Sequence, residues 1–157
     1  MSVEADIPGF GHLRLEHLAL DVNGTLAVEG ALVDGVQERL RELAGRLTVH
    51  LLSGDTYGRT GEVAEALGLR ATIIRGPDEA GAKRARVQEL GPSTVAAIGN
   101  GANDAGMLQE AAIGIVVVGA EGAAAHTVRA ADLVVTNPLD ALDLLLRPAR
   151  LVAGLRR

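Results

Sequence analysis

Short runs of Leu, Val, Ile and Ala alternate along this chain with segments in helical spacing, and that alternation leaves few folds open. His17-Leu-Ala-Leu-Asp21 reads as a buried strand that ends in an acid. Val36, Leu40, Leu43, Ala44 and Leu47 then keep helical spacing, and Leu47–Leu52 is a second strand. The unit recurs as a helix over 61–67, a strand over 71–74, and a helix over 79–90 with Asp78 as its N-cap. Further pairs come after it: strand 94–98 with helix 104–112, strand 113–118 with helix 122–130, and strand 132–135 with helix 139–146. Such alternation predicts an α/β fold, a doubly wound and mostly parallel sheet covered by helices on both faces. Residues 3–7 and 12–15, joined by Pro8-Gly9-Phe10-Gly11, predict a leading hairpin, and Glu29-Gly30 the turn of a smaller one. With 157 residues and no linker or repeat, one domain over 1–157 is expected.

Composition narrows this further. Phe10 and Tyr57 are the only aromatics, so the core must be aliphatic, and the 20 glycines suit many tight turns. The absence of cysteine rules out a disulfide framework or a zinc–thiolate site. A formal charge of −5 argues against a general nucleic-acid binder. The basic residues Lys83, Arg84 and Arg86, and Arg147, Arg150, Arg156 and Arg157 near the end, read as solvated helix faces and a polar tail. No apolar run approaches the roughly 18 residues of a membrane span. Met1–Gly11 holds Glu4 and Asp6 and no basic stretch, unlike a signal peptide. The expectation is a soluble protein of the cytoplasm.

In open parallel sheets, ligands bind beyond the carboxyl ends of the strands. Strand one is followed by Asp21-Val-Asn23-Gly-Thr25, strand two by Ser53-Gly54-Asp55-Thr56, and strand four by Gly99-Asn100-Gly101-Ala102-Asn103-Asp104. Lys83 lies in the helix after strand three. Two carboxylates, an ammonium and several small polar groups therefore collect at one edge. The residues Asp55 and Thr56 read equally as turn or cap residues and as substrate contacts. His12, His17, His50 and His126 share no spacing and read as structural or surface residues.

This set resembles the haloacid-dehalogenase-like (HAD) superfamily of aspartate-nucleophile phosphotransferases. Its motif one, Asp-x-Asp-Gly-Thr, is matched by Asp21–Thr25; its motif-two Ser or Thr by Ser53; its lone Lys by Lys83; and its acidic Gly-rich loop by Gly99–Asp104. A finer likeness is to the phosphorylation domain of P-type ATPases, on Leu52-Ser53-Gly54-Asp55, Gly99–Asp104, Ala112–Ile115 and Ala131–Val135. Only positions 26–52 separate Thr25 from Ser53, which leaves no room for those pumps' large nucleotide-binding insert. Positions 54–82 likewise leave no room for a cap domain.

The resemblance implies Mg²⁺-dependent chemistry on a small phosphorylated molecule. Asp21 would be nucleophile and metal ligand, and the Asn23 carbonyl a second ligand. Asn100 would face the metal, and Asp104 would hold it directly or through its waters. Lys83 would join the nucleophile to the incoming phosphate. Thr25, Ser53, Gly54 and Asn103 would complete the phosphate site. Two departures stand out: Asn23 occupies the position of the family's proton-carrying aspartate, and Asn100 stands where the fourth motif carries an acid. Slow hydrolysis, phosphotransfer and a non-catalytic phosphate- or metal-binding regulator all remain open on these residues. A receiver-like signalling module fits the placement of Lys83 and the Gly-rich loop poorly. A site without a cap is also expected to be screened by a second copy, as a homo-oligomer.

Overall fold

Six of the aliphatic runs become the strands of one parallel sheet. The computed structural model describes residues 1–157. After a hairpin of β1 (Val3–Ile7) and β2 (Gly11–Leu15), the chain enters the sheet at β3 (His17–Leu20). A second hairpin pairs β4 (Ala27–Val28) with β5 (Ala31–Leu32). Its turn residues Glu29 and Gly30 have φ of 51° and 84°, the two positive angles that suit the twist of a two-residue loop. Next come α1 (Val36–Ala44), β6 (Thr48–Ser53), α2 (Thr60–Leu67), β7 (Arg70–Ile73), α3 (Glu79–Leu90) and β8 (Val95–Gly99). The chain closes with α4 (Ala105–Glu110), β9 (Ile113–Val117), α5 (Ala125–Ala130), β10 (Leu133–Val135), α6 (Pro138–Leu146) and α7 (Ala149–Leu155).

The sheet order is β10-β9-β8-β3-β6-β7, with every neighbour parallel. The chain runs outward from β3 to β6 and β7, then returns to β8 on the other side of β3. The direction of travel therefore reverses at β3, which puts the ligand crevice beyond the carboxyl ends of β3, β6 and β8.

Side chains alternate between two cores. Leu18 and Leu20 of β3, Leu51 of β6 and Ile98 of β8 join α1, α2, α6 and α7 on one face. Ala19, Leu52, Val95, Ala97 and Val116 meet Val87, Met107 and Leu108 of α3 and α4 on the other. Gly114 of β9 is needed there, because a Cβ would run into the Leu108 carbonyl. Truncating a fully buried leucine such as Leu20 to alanine should cost about 2–5 kcal/mol.

The expected architecture, helix order and both hairpins are present. Boundaries moved where local chemistry ended an element early. Gly45 caps α1, so that helix stops at Ala44 and not at Leu47. A 3₁₀ turn over Ala102–Asp104 precedes α4, which is shorter than the expected 104–112. The segment from Gly122 turns before it becomes helical at Ala125. The Arg-rich end is more than a polar tail. Leu151 anchors α7 in the larger core, and the Arg157 N–H donates to the Pro8 carbonyl at 2.8 Å, tying the end to the leading hairpin. No helix is long and apolar enough to cross a membrane.

Candidate functional site

Asp21 begins the site because β3 ends there, beside β8: its N–H donates to the Ile98 carbonyl at 3.0 Å. The side chain is almost wholly buried, at 7% exposure. Lys83, fully buried on α3, donates from Nζ to Asp21 Oδ1 at 2.9 Å and to Asp104 Oδ1 at 2.8 Å. Burial and the charge of Asp104 raise the Asp21 pKa to about 7, against the lowering pull of Lys83 and Thr25. Burial works to lower the Lys83 pKa, but its two carboxylates outweigh burial and hold it above the ordinary value.

Thr25 lies behind Asp21. Its hydroxyl proton is within reach of Asp21 Oδ2 at 2.8 Å and Asn100 Oδ1 at 3.0 Å, so it links motif one to the Gly-rich loop. Gly24, with φ of 77°, makes this approach possible, since a Cβ would lie 2.5 Å from Asn100 Nδ2. Asn100 Nδ2 donates to the Gly122 carbonyl at 3.1 Å, which orients its amide with Oδ1 toward Thr25.

Asp104 is wholly buried. Its Oδ2 accepts from the N–H groups of Asn100 and Gly101, each at 3.0 Å, while Oδ1 takes Lys83. It caps the 3₁₀ turn in the Gly-rich loop, not helix α4. Ser53 ends β6, and its Oγ accepts from the Asp55 N–H at 2.9 Å and the Thr60 hydroxyl at 3.0 Å. With Thr60 as the donor of that hydroxyl pair, the Ser53 proton is left for another acceptor. The Gly54 N–H makes no hydrogen bond within the chain. Asp55 turns the loop at φ 59° and accepts from the Thr60 N–H at 3.0 Å, the role of a helix cap; that bond holds its carboxyl below the usual range.

These groups surround a cleft of about 180 Å³. Of the residues expected from sequence, Asp21, Asn23, Ser53, Gly54, Lys83, Asn100 and Asn103 line it. Thr25 and Asp104 do not; they hold Asp21, Asn100 and Lys83 from behind. Thr56 is on the wall, whereas Asp55 is not. Tyr57, Glu79 and Glu121 line it too, and sequence reasoning did not single them out. A signal for two of them existed. Glu79 and Glu121 lie beyond the carboxyl ends of β7 and β9, the same kind of position that marks Asp21, Ser53 and Asn100. Glu79 Oε2 accepts from Asn103 Nδ2 at 2.7 Å, and Gly54 leaves it space, since a Cβ there would lie 2.5 Å from Glu79 Oε1. The four histidines stay outside: His12 faces Asp6, His126 meets the Ala102 carbonyl, and His17 and His50 pair across β3 and β6 at 3.2 Å.

The residues at the cleft that could offer oxygens to a cation are Asp21, Asn23 and Asn100, with Asp104 behind. No three His, Cys, Asp or Glu side chains group into a cage of their own. A hard ion that keeps several waters fits such a set better than one needing a complete protein shell. Once Asp21 is ionised, Asp21, Asp104 and Lys83 together carry one net negative charge, which a cation would offset.

Comparison with known proteins agrees with this picture. The family model of the haloacid dehalogenase-like hydrolases matches residues 2–112. A Methanocaldococcus jannaschii protein, MJ0073, is 50% identical over 62 residues, 40% of this chain and 67% of its own. Among solved structures, the 3-deoxy-D-manno-octulosonate 8-phosphate phosphatase of Moraxella catarrhalis, in complex with magnesium, phosphate and KDO, superposes with a TM-score of 0.65. It is 21% identical and covers 89% of this chain and 90% of its own. The corresponding phosphatase of Yersinia pestis gives 0.67 at 16% identity, over 98% and 97% of the two chains. A phosphoserine phosphatase in its apo form also gives 0.67, at 15% identity over 85% and 98%. At these identities the likeness establishes the fold.

Proposed function

Because this chain belongs to the haloacid dehalogenase-like hydrolases, we propose that it is a Mg²⁺-dependent phosphohydrolase or phosphotransferase in which Asp21 is the nucleophile toward a small phosphorylated molecule. The observation that carries this reading is the buried Lys83 ammonium held between Asp21 and Asp104. A surface lysine has no reason to be desolvated between two acids, whereas a nucleophile that must approach a phosphate dianion needs a fixed positive charge beside it.

Asp21, the Asn23 carbonyl and Asn100 would hold the ion, with Asp104 fixing the loop behind them. Mg²⁺ supplies charge neutralisation at the phosphate and alignment of its oxygens. A carboxylate oxygen of Asp21 attacks phosphorus, and the bond to the ester oxygen breaks. The leaving alkoxide takes its proton from water, because Asn23 has none to give. Water then attacks the aspartyl phosphate, the bond to Asp21 breaks, and inorganic phosphate departs. In phosphotransfer an acceptor hydroxyl replaces that water. Lys83 steadies charge on the Asp21 and phosphate oxygens. The free Ser53 proton and the Gly54 and Asn103 N–H groups suit donation to the phosphoryl oxygens, the kind of fixed stabilisation that often dominates such barriers. Between β3 and α1 there is only the short β4–β5 hairpin and no cap domain, so a second copy of the chain would be a natural screen for the cleft.

The test is turnover of a phosphorylated-metabolite panel with Mg²⁺, beside Asp21→Asn. Wild-type turnover that the variant lacks, with an intact-mass gain of one phosphoryl group on wild type alone, supports the reading. Equal turnover by the variant overturns it. Asn23 at the cleft favours one alternative, a non-catalytic phosphate- or metal-binding regulator. Beryllofluoride binding with no turnover on any ester would favour that alternative.

A further inference from the structure

The rim of the cleft is chemically unlike its floor. Lys83 is the one basic residue that lines it, and that lysine is buried and already divided between Asp21 and Asp104. The rim carries Glu79, Glu121 and Tyr57. Glu79 keeps one carboxylate oxygen beyond its bond to Asn103. Glu121 is exposed in the Gly119–Gly122 turn. Arg59, on the loop beside Tyr57, is directed to Glu62 at 3.4 Å and is not part of the wall. Tyr57 is 43% exposed, and the β4–β5 turn stands against it: a Cβ on Gly30 would lie 3.2 Å from Tyr57 Cβ. It is the cleft's single aromatic ring, held at the entrance with part of its surface open to a ligand.

Two carboxylates and one phenol ring beside a phosphate site form a recognition set for an ammonium group. Carboxylates attract it directly, and the face of an aromatic ring attracts it through the ring quadrupole. The same lining disfavours a second anion, since Arg59 and Arg75, the basic residues of the neighbouring loops, are not part of the wall. Resting on the phosphatase reading above, we propose that the cleft selects phosphate monoesters whose leaving group bears an ammonium and discriminates against those bearing a carboxylate. The floor, with Lys83, Ser53 and a bound cation, takes the phosphate. The rim, with Glu79, Glu121 and Tyr57, takes the amine.

Three two-carbon esters vary the charge: 2-aminoethyl phosphate, 2-hydroxyethyl phosphate and phosphoglycolate, with dissociation constants separating recognition from the leaving-group acidity that the charge also changes. The kcat/KM values should fall in that order, with the ammonium ester ahead of the carboxylate by roughly 10–100-fold at low ionic strength, as expected for two partly screened unit charges. Added salt should compress that span. The double variant Glu79→Gln, Glu121→Gln should compress it further, and Tyr57→Ala should raise KM for the ammonium ester more than for the hydroxyl ester. Dissociation constants measured with Asp21→Asn and Mg²⁺ should show the same order. Esters that bind or react within about threefold of one another, less than a rim charge should produce, or a preference for phosphoglycolate, overturn the inference. An ordered set of dissociation constants without turnover would instead overturn the phosphatase reading and leave the ammonium site standing.

Discussion

The Lys83 ammonium, sealed from water, lies 2.9 Å from Asp21 Oδ1, and Asp21 opens only its outer edge to the cleft. Its second partner, Asp104, makes the arrangement asymmetric: one buried cation serves two buried anions. Removing one partner from a buried charge pair ordinarily costs about 3–5 kcal/mol, because the remaining charge is stranded. Here the balance differs, since removing one carboxylate still leaves Lys83 paired with the other.

That difference makes a first prediction. The Asp21 pKa is raised to about 7 from an ordinary 3.8, mainly by burial and by Asp104. A raised acid pKa means that ionisation is harder in the folded chain than in the unfolded one. In divalent-free buffer, stability should therefore be full below the unfolded value and fall as pH rises toward about 7. Asp21→Asn should remove that fall and be more stable than wild type in mild alkali, by on the order of 1–3 kcal/mol. Urea denaturation in chelator, at acidic and mildly alkaline pH, measures it. A variant less stable than wild type in alkali would show that Lys83 stabilises ionised Asp21 fully.

Much of this centre was legible in the chain. Asp21, Ser53 and the Gly-rich loop each come after an apolar run, and a parallel sheet brings the ends of such runs together whatever the details of packing. Lys83 was harder to read, because a lysine on a helix is usually solvated; only its company with the other motifs marked it. The division of labour between wall and support was not legible. Thr25 and Asp104 are polar residues of the same motifs as Asp21 and Asn100, yet they turn inward, and that depends on close approaches that Gly24 and Gly99 allow: a Cβ on Gly99 would lie 2.6 Å from Asp104 Cγ. Helix α7 was hidden because its Arg residues mask the one strongly anchored position, Leu151.

The paired histidines yield a second prediction. His50 is half buried, and burial, then Arg86 and His17, lower its pKa to about 4. The folded chain therefore takes up this proton less readily than the unfolded chain. The His50 contribution to stability is complete above the unfolded value of 6.5 and is lost as pH falls toward about 4. His50→Gln should flatten this acid limb. Taken as the Tm difference between variant and wild type at each pH, the Asp21 contribution cancels. A difference that stays constant across that window would mean that His50 titrates normally.

A third prediction concerns Asn100. A carboxylate in its place adds a full negative charge beside the proposed ion, so Asn100→Asp should tighten Mg²⁺ binding in titration calorimetry. It should also destabilise the metal-free protein by about 1–2 kcal/mol, because the Gly122 carbonyl loses its donor and meets a carboxylate instead. The two effects have opposite signs and separate by adding Mg²⁺. Unchanged or weaker affinity would place Asn100 away from the ion.

The last prediction concerns Asn23, which is half buried at the cleft wall and cannot carry a proton. General acid–base assistance is typically worth about 10²–10⁴ in rate, or roughly 3–5 kcal/mol of barrier. On the proposed mechanism the leaving alkoxide must find its proton in water, so Asn23→Asp should supply part of that assistance and raise turnover. The gain should be pH-dependent, because the new carboxyl must be protonated as the leaving group departs and ionised as water attacks. It should fall short of the full range, since a further negative charge near Asp21 and Glu121 also repels the substrate phosphate and, with its own ionisation disfavoured, shifts the rate optimum upward in pH. An ester with a poor leaving group needs the proton most and should gain most, whereas one with a good leaving group should change little in its first step. Measuring kcat for such a pair across pH decides the matter. Equal or reduced rates for both would mean that the cleft was never short of a proton donor, and would favour the regulator over the enzyme.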